Sequence, residues 1–187
     1  SLVGSEMCIR DSAYTGIVYK RIQPQDFTAA DFEYAQEHLR ITSFLYGLLR
    51  PLDLIKNYRM EGDVRLPERG GISMFDYWKP ILTNAFIKEI KAQGGILINL
   101  ASGEMKDLFD WKRVAREVRI ITPEFQVWKN GKLTTIVVYA KMCRGEMTRF
   151  IIKNRIETPQ DLKSFNWEGF SLSLIHISEP TRLLSIS

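Results

Sequence analysis

QVWKNGKLTTIVVYAKMCRGEMTRFIIKNRI, residues 126–156, changes its hydrophobic period midway, and that change sets the fold class. Gln126 to Lys129 and Lys132 to Tyr139 are rich in β-branched and aromatic residues. The Asn130-Gly131 pair between them accepts the positive φ angles of a type I′ turn, so the first half predicts a β-hairpin. From Ala140 to Ile156 the period becomes helical. Cys143, Met147, Phe150 and Ile151 share one side, while Lys141, Arg144, Arg149, Lys153 and Arg155 spread over the other. A hairpin feeding an amphipathic helix argues for a mixed α/β (α+β) fold, a mixed sheet covered by helices.

The chain on either side agrees. Thr28-Ala-Ala-Asp31 reads as a capping box opening a helix with Phe32, Ala35 and Leu39 at helical spacing. Ile41-Thr-Ser-Phe-Leu-Tyr-Gly47-Leu-Leu-Arg50-Pro51 follows, where Gly47 permits a tight turn and Pro51 requires a break or a helix start, so a helix-turn-helix-sized unit is expected. Asn57 to Gly71 is polar and reads as loop. Met74 to Lys91 is a second amphipathic helix, kinked or restarted at Pro80 and closed by Gly94-Gly95. Ile96-Leu-Ile-Asn-Leu100 has the texture of a strand buried on both faces, and Val118 to Ile121 that of another. Thr158-Pro159-Gln-Asp161 predicts a last short helix capped by Thr158.

With 187 residues, 45% apolar and 26% charged, the chain has ordinary globular composition and one expected domain. No apolar run reaches the ~18 residues of a membrane-spanning helix, so no membrane role is expected. Residues 1–12, SLVGSEMCIRDS, and 171–187, SLSLIHISEPTRLLSIS, differ in texture from the rest and read as translated adapter sequence, the alternative being genuine termini. Residues 13–170 then form the domain. Its charge is uneven: Ala13 to Asp110 holds 12 basic and 13 acidic residues, whereas Trp111 to Phe170 holds 12 basic against 6 acidic. A basic half points to an anionic partner.

Within residues 13–170, Cys143 and His38 are the only cysteine and histidine, too few for a dedicated metal site, and no metal or cofactor is expected. Neither G-x-G-x-x-G nor a P-loop occurs. Ser102-Gly103, after the Ile96–Leu100 run, is a strand-to-helix turn whose backbone N–H groups suit an anion. Two basic clusters stand out. Arg40, Arg50, Lys56 and Arg59 surround the Ser43–Gly47 turn, and Lys141, Arg144, Arg149, Lys153 and Arg155 follow the last long helix. Phe44, Tyr46, Tyr58, Tyr139 and Phe150 interleave them. Two helices joined by a tight turn can present N–H groups and cationic side chains to successive phosphates of a duplex without reading bases.

Several separated blocks carry a resemblance: Tyr14-Thr-Gly16; His38-Leu-Arg-Ile-Thr-Ser-Phe-Leu-Tyr-Gly-Leu-Leu-Arg-Pro-Leu-Asp-Leu54 with Tyr58-Arg59; Ile98-Asn-Leu-Ala-Ser102; and Tyr139-Ala-Lys…Arg144-Gly…Arg149-Phe-Ile-Ile…Asn154-Arg155. In this order they resemble the YaaA family of bacterial peroxide-stress proteins over essentially all of residues 13–170. The resemblance implies a cytoplasmic protein that limits intracellular iron and oxidative DNA damage under hydrogen peroxide. It also implies a helix-hairpin-helix element centred on Ser43 to Gly47, flanked by Arg40 and Arg50. A basic cleft drawing on Lys141, Arg144, Arg149 and Arg155 would bind double-stranded DNA. Phe44 stands where the family commonly has Gly, and Glu61-Gly62-Asp63 replaces its usual Glu-Met-Gly. The family's opening strand and Ser-Pro-Ala-Lys motif have no counterpart, nor does its end beyond Gly169-Phe170, so a fragment is expected. The resulting expectation is a monomeric, non-enzymatic DNA-binding stress protein. An enzyme acting on a phosphorylated or nucleic-acid substrate in the same cleft is the alternative, through Ser102 or Cys143.

Overall fold

The computed structural model describes residues 14–171; residues 1–13 and 172–187 lie outside the described residues, and with them the adapter reading of 1–12 and of all of 171–187 but Ser171. In chain order the elements are α1 (Ile17–Ile22), α2 (Ala29–His38), β1 (Ile41–Ser43), β2 (Gly47–Leu49), β3 (Arg65–Leu66), β4 (Ile72–Ser73), α3 (Met74–Ala92), β5 (Ile96–Ile98), α4 (Trp111–Glu117), β6 (Arg119–Ile121), β7 (Val127–Lys129), β8 (Lys132–Thr134), α5 (Val137–Asn154), β9 (Asn166–Trp167) and β10 (Phe170–Ser171). The described residues divide into two compact units, one of residues 14–15 and 23–122, the other of residues 16–22 and 123–171. The domain expected over 13–170 spans both.

The first unit is built around α3. Leu82, Phe86, Ile87 and Ile90 turn inward and meet Phe44, Leu108, Phe109, Val114 and Val118, with Phe86 and Phe109 stacked at 4.4 Å. Its entry is fixed by Ser73, whose hydroxyl accepts from the Asp76 N–H and donates to the Asp76 carboxylate. The helix is continuous through Pro80, so the expected restart does not occur. Gly95 closes it by donating its N–H to the Ile90 carbonyl, with Gly94 at φ 91°. The capping box is present: Thr28 accepts from the Asp31 N–H and the Asp31 carboxylate accepts from the Thr28 N–H. β5 and β6 pair in parallel, with Ile96 opposite Arg119 and Ile98 opposite Ile121. Neither is buried on both faces as expected of the 96–100 run; β5 is half-buried along its length, because β6 is its only strand neighbour among the described residues.

The largest correction falls on residues 41–49. They form an antiparallel ribbon, Ile41 opposite Leu49 and Ser43 opposite Gly47, and no helix-hairpin-helix exists there. The reasons are local. Ile41 and Thr42 are β-branched, and the Ser43 hydroxyl accepts from the Tyr46 N–H across the turn. Gly47, at φ 77°, takes the left-handed position that ends such a three-residue connection. A side chain at Gly47 would meet the Trp78 ring at 3.0 Å. Trp78 in turn donates its indole N–H to the Phe44 carbonyl, so Phe44 is a core residue packed edge-on against Phe75.

The second unit rests on α1 against α5. Gly145 lies so close to α1 that a Cβ there would stand 2.3 Å from the Val18 carbonyl oxygen. The hairpin read from the sequence is present, Lys129 opposite Lys132, with Asn130 at φ 53° and Gly131 at φ 74°. Its second strand stops at Thr134, and α5 begins at Val137 rather than at Ala140. The last expected helix is a 3-10 turn over Asp161–Ser164; Thr158 still bonds Asp161 ahead of it.

Candidate nucleic-acid interface

α5 has two buried faces, and that decides where its cations go. Ala140, Cys143 and Met147 form one, and Gly145, Thr148 and Ile152 form a second toward α1. Arg144 and Arg155 emerge between these faces, whereas Arg149 and Lys153, four residues apart, share the remaining open side, ~140° round the axis from Arg144. The single basic face expected of the helix is therefore split.

On the open side lies a cavity of about 210 Å³ lined by Glu146, Arg149, Phe150, Lys153 and Asn154 of α5 and by Phe165, Asn166 and Trp167. Phe150 and Phe165 meet edge to face at 5.6 Å, Phe165 meets Phe125 likewise at 6.5 Å, and Trp167 stacks on Phe170 at 6.2 Å. Arg149 donates to the Ile22 carbonyl at 3.3 Å, which anchors it to the end of α1. Glu146, the one carboxylate in the wall, stands 3.5 Å from Arg21, whose guanidinium lies 5.3 Å over the Trp167 ring. Arg149 and Lys153 line the same wall as Glu146, the carboxylate that pairs with Arg21. A phosphate is complementary to the cations of this lining. Phe165, Asn166 and Trp167 lie outside any periodic segment, so only their aromatic clustering marks them in the sequence.

Arg144 is half-buried, and burial draws its pKa below the usual guanidinium value. Among the described residues no carboxylate pairs with it. Lys141 is exposed on the first turns of α5. Arg155 ends the helix in the left-handed conformation at φ 52° with its guanidinium on the Ile152 carbonyl.

The cluster of the first unit is less uniform than its sequence suggests. Arg40 donates to Glu89 and to the carbonyls of Gln36, Glu37 and Leu39, closing the C-terminal end of α2; it is a structural cation. Arg50 shares Glu89 at 3.5 Å and is half-exposed. Lys56 and Arg59 are exposed. Ser43 is buried, its hydroxyl 2.5 Å from that of Tyr58, and so belongs to the turn's internal scaffold.

Ser102 precedes a six-residue 3-10 helix, Gly103–Leu108, without capping it, and its hydroxyl lies 3.4 Å from the Glu104 carboxylate. A carboxylate at that turn opposes binding of another anion. Cys143 is wholly buried, and desolvation pushes its thiol up to about 11, so it has no thiolate to offer at neutral pH. Among the described residues no group of three or more His, Cys, Asp or Glu is placed to hold a metal, and no helix is long and apolar enough to cross a membrane.

A mixed helix-and-strand protein with a cationic, aromatic-lined cavity is the class these features define. The sequence family described as peroxide stress protein YaaA matches residues 11–174, and the chain belongs to that family. A UPF0246 protein of Phocaeicola vulgatus is 80% identical over 174 residues, 93% of this chain and 68% of the relative. One of Bacteroides fragilis is 70% identical over 161 residues, covering 86% and 63%. One of Porphyromonas gingivalis is 49% identical over 159 residues, covering 84% and 62%. The chain thus spans about two thirds of the length of the curated relatives it matches.

Proposed function

We propose that this chain carries the duplex-binding part of a bacterial peroxide-stress protein, one that coats double-stranded DNA through its phosphates without base preference and so limits iron-dependent oxidative damage. The observation that carries the reading is the pairing of Arg149 and Lys153 on one wall of an aromatic-lined cavity. Arg144, partly desolvated and without a carboxylate partner among the described residues, adds a charge that an anion would satisfy. The excess of 12 basic over 6 acidic residues across Trp111 to Phe170 supports the same partner.

Affinity of this kind comes from counterion release. With ~3 to 5 phosphates neutralised, log affinity should fall against log salt with a slope of roughly −3 to −4.5. The test is fluorescence anisotropy of a labelled duplex between low and physiological salt, repeated on two unrelated sequences. Arg149→Ala and Lys153→Ala should each flatten the slope by about one, equally for both sequences. Affinity independent of salt overturns the proposal.

A further inference from the structure

The hairpin β7–β8 is a ribbon of two three-residue strands with no further strand on either edge among the described residues. Trp128 and Leu133 stand directly opposite each other, hence on one face, and are 74% and 54% exposed. Lys129 and Lys132, the next pair in register, lie on the other face. Exposed apolar surface continues through Val137, Val138 and Tyr139 at the start of α5. Between Glu124 and Glu146 the sequence has Lys129, Lys132, Lys141 and Arg144 and no acidic residue. Such a ribbon works against its own stability. Two strands alone are marginal in water and need a third strand or a packed face, and like charges directly opposite weaken their pairing. A contiguous exposed apolar patch of this kind marks a surface that something else covers.

Length and charge point to the occupant. The Phocaeicola vulgatus relative matches this chain over 174 residues, a span that includes the ribbon, yet those residues make up only 68% of it. About a third of its length has no counterpart here, and the relatives from Bacteroides fragilis and Porphyromonas gingivalis are longer in the same proportion. A second copy fits poorly, because a two-fold dimer would set the same carboxylate-free, cation-bearing surface against itself. Nucleic acid fits poorly as well, since Leu133, Val137 and Val138 are aliphatic and offer no ring for a base to stack on.

We propose that the edge of this ribbon receives a strand from the third of the relatives' length for which this chain has no counterpart, an apolar strand with carboxylates at alternate positions. Neighbouring strands in register share their faces, so its apolar side chains stand level with Trp128 and Leu133 and its carboxylates with Lys129 and Lys132. Main-chain hydrogen bonds along the open edge hold it, and Val137, Val138 and Tyr139 extend the apolar contact. The inference goes beyond duplex binding and does not depend on it.

The experiment sets residues 11–174 of this chain into the full-length Phocaeicola vulgatus relative in exchange for its matching segment, and compares amide hydrogen exchange of residues 126–136 there with exchange in the 187-residue chain. Exchange should be slower in the full-length protein by at least about tenfold. Trp128→Glu should leave the Tm of the 187-residue chain unchanged and lower that of the full-length protein by roughly 5 °C. Equal exchange of residues 126–136 in the two proteins overturns the proposal, as does a Trp128→Glu variant that melts with its parent in both. Residues 126–136 that stay unprotected in the full-length protein but become protected in the 187-residue chain on adding duplex DNA or phosphatidylglycerol vesicles would assign the ribbon to nucleic acid or to a membrane surface and overturn it. Protection that instead rises with the concentration of the 187-residue chain would assign it to a second copy, with the same consequence.

Discussion

Replacing Gly145 by alanine tests the packing that positions the cationic cavity. Glycine inside a helix ordinarily costs about 0.8 to 1 kcal/mol relative to alanine, so the substitution would stabilise an isolated helix. Here the added methyl would stand 2.3 Å from the Val18 carbonyl oxygen and 2.6 Å from the Arg21 Cβ. Neither atom is the end of a flexible chain. Ordinary contact begins at 3.4 Å, so α1 must retreat from α5 by about 1 Å. Overpacking of this kind typically costs about 1 to 3 kcal/mol, and more where backbone must move, so the net expectation after the helix-propensity gain is a loss of about 1 to 2 kcal/mol. The displacement should also reach the site, because α1 carries the Ile22 carbonyl that holds Arg149 and the Arg21 side chain that pairs with Glu146 and covers Trp167. Thermal unfolding followed by circular dichroism should show a Tm lowered by roughly 4 to 8 °C per kcal/mol lost, for a unit of this size. Trp167 emission should shift below the transition as its cation moves away. A Gly145→Ala variant that melts at or above the parent temperature would refute the claim that α1 and α5 are locked by this contact.

Other substitutions address separate elements. In a Cys8→Ser background, Cys143 should resist iodoacetamide at pH 8 and react once urea unfolds the chain, since its thiol titrates near 11 and is wholly buried; rapid labelling of the native protein would contradict that burial. Thr28→Ala removes a reciprocal cap of α2 and should cost about 1 kcal/mol in urea unfolding, with Thr28→Ser nearly neutral. Glu117 accepts from Lys91 and Arg113, and these bonds hold its carboxyl below the usual range. A folded-state value lower than the unfolded one means that its contribution is present above the unfolded value and is lost as pH falls toward the folded one. Glu117→Gln should therefore reduce stability at pH 7 and converge with the parent in acid, and an equal deficit at both pH values would contradict the assignment.

Much of the secondary structure is readable from short-range chemistry. The Asn130-Gly131 turn, the Thr28–Asp31 capping box and the Gly94-Gly95 stop each depend on two to four neighbouring residues whose conformational preferences are strong. Residues 41–49 mislead because Ile-Thr-Ser-Phe-Leu-Tyr-Gly-Leu-Leu fits a helical stripe as readily as a strand pair. The Trp78 indole, 34 residues away, takes the Phe44 carbonyl and helps settle the competition in favour of a ribbon. Cation positions on α5 mislead for a related reason. A periodicity argument assumes one buried face, and the glycine at 145 creates a second by admitting α1.

Which residues bear charge, where turns fall and, outside residues 41–49, which segments alternate or spiral were therefore legible in the order of residues alone, since backbone sterics and side-chain period act over a few positions. Which of those charged and polar side chains come together was not. Arg40 is spent on Glu89 and the end of α2, Ser43 is tied to Tyr58, and Arg149 and Lys153 meet Phe165 and Trp167 at a shared cavity. Those outcomes depend on which partners distant segments bring within bonding distance, a property of the packed chain that no local pattern encodes.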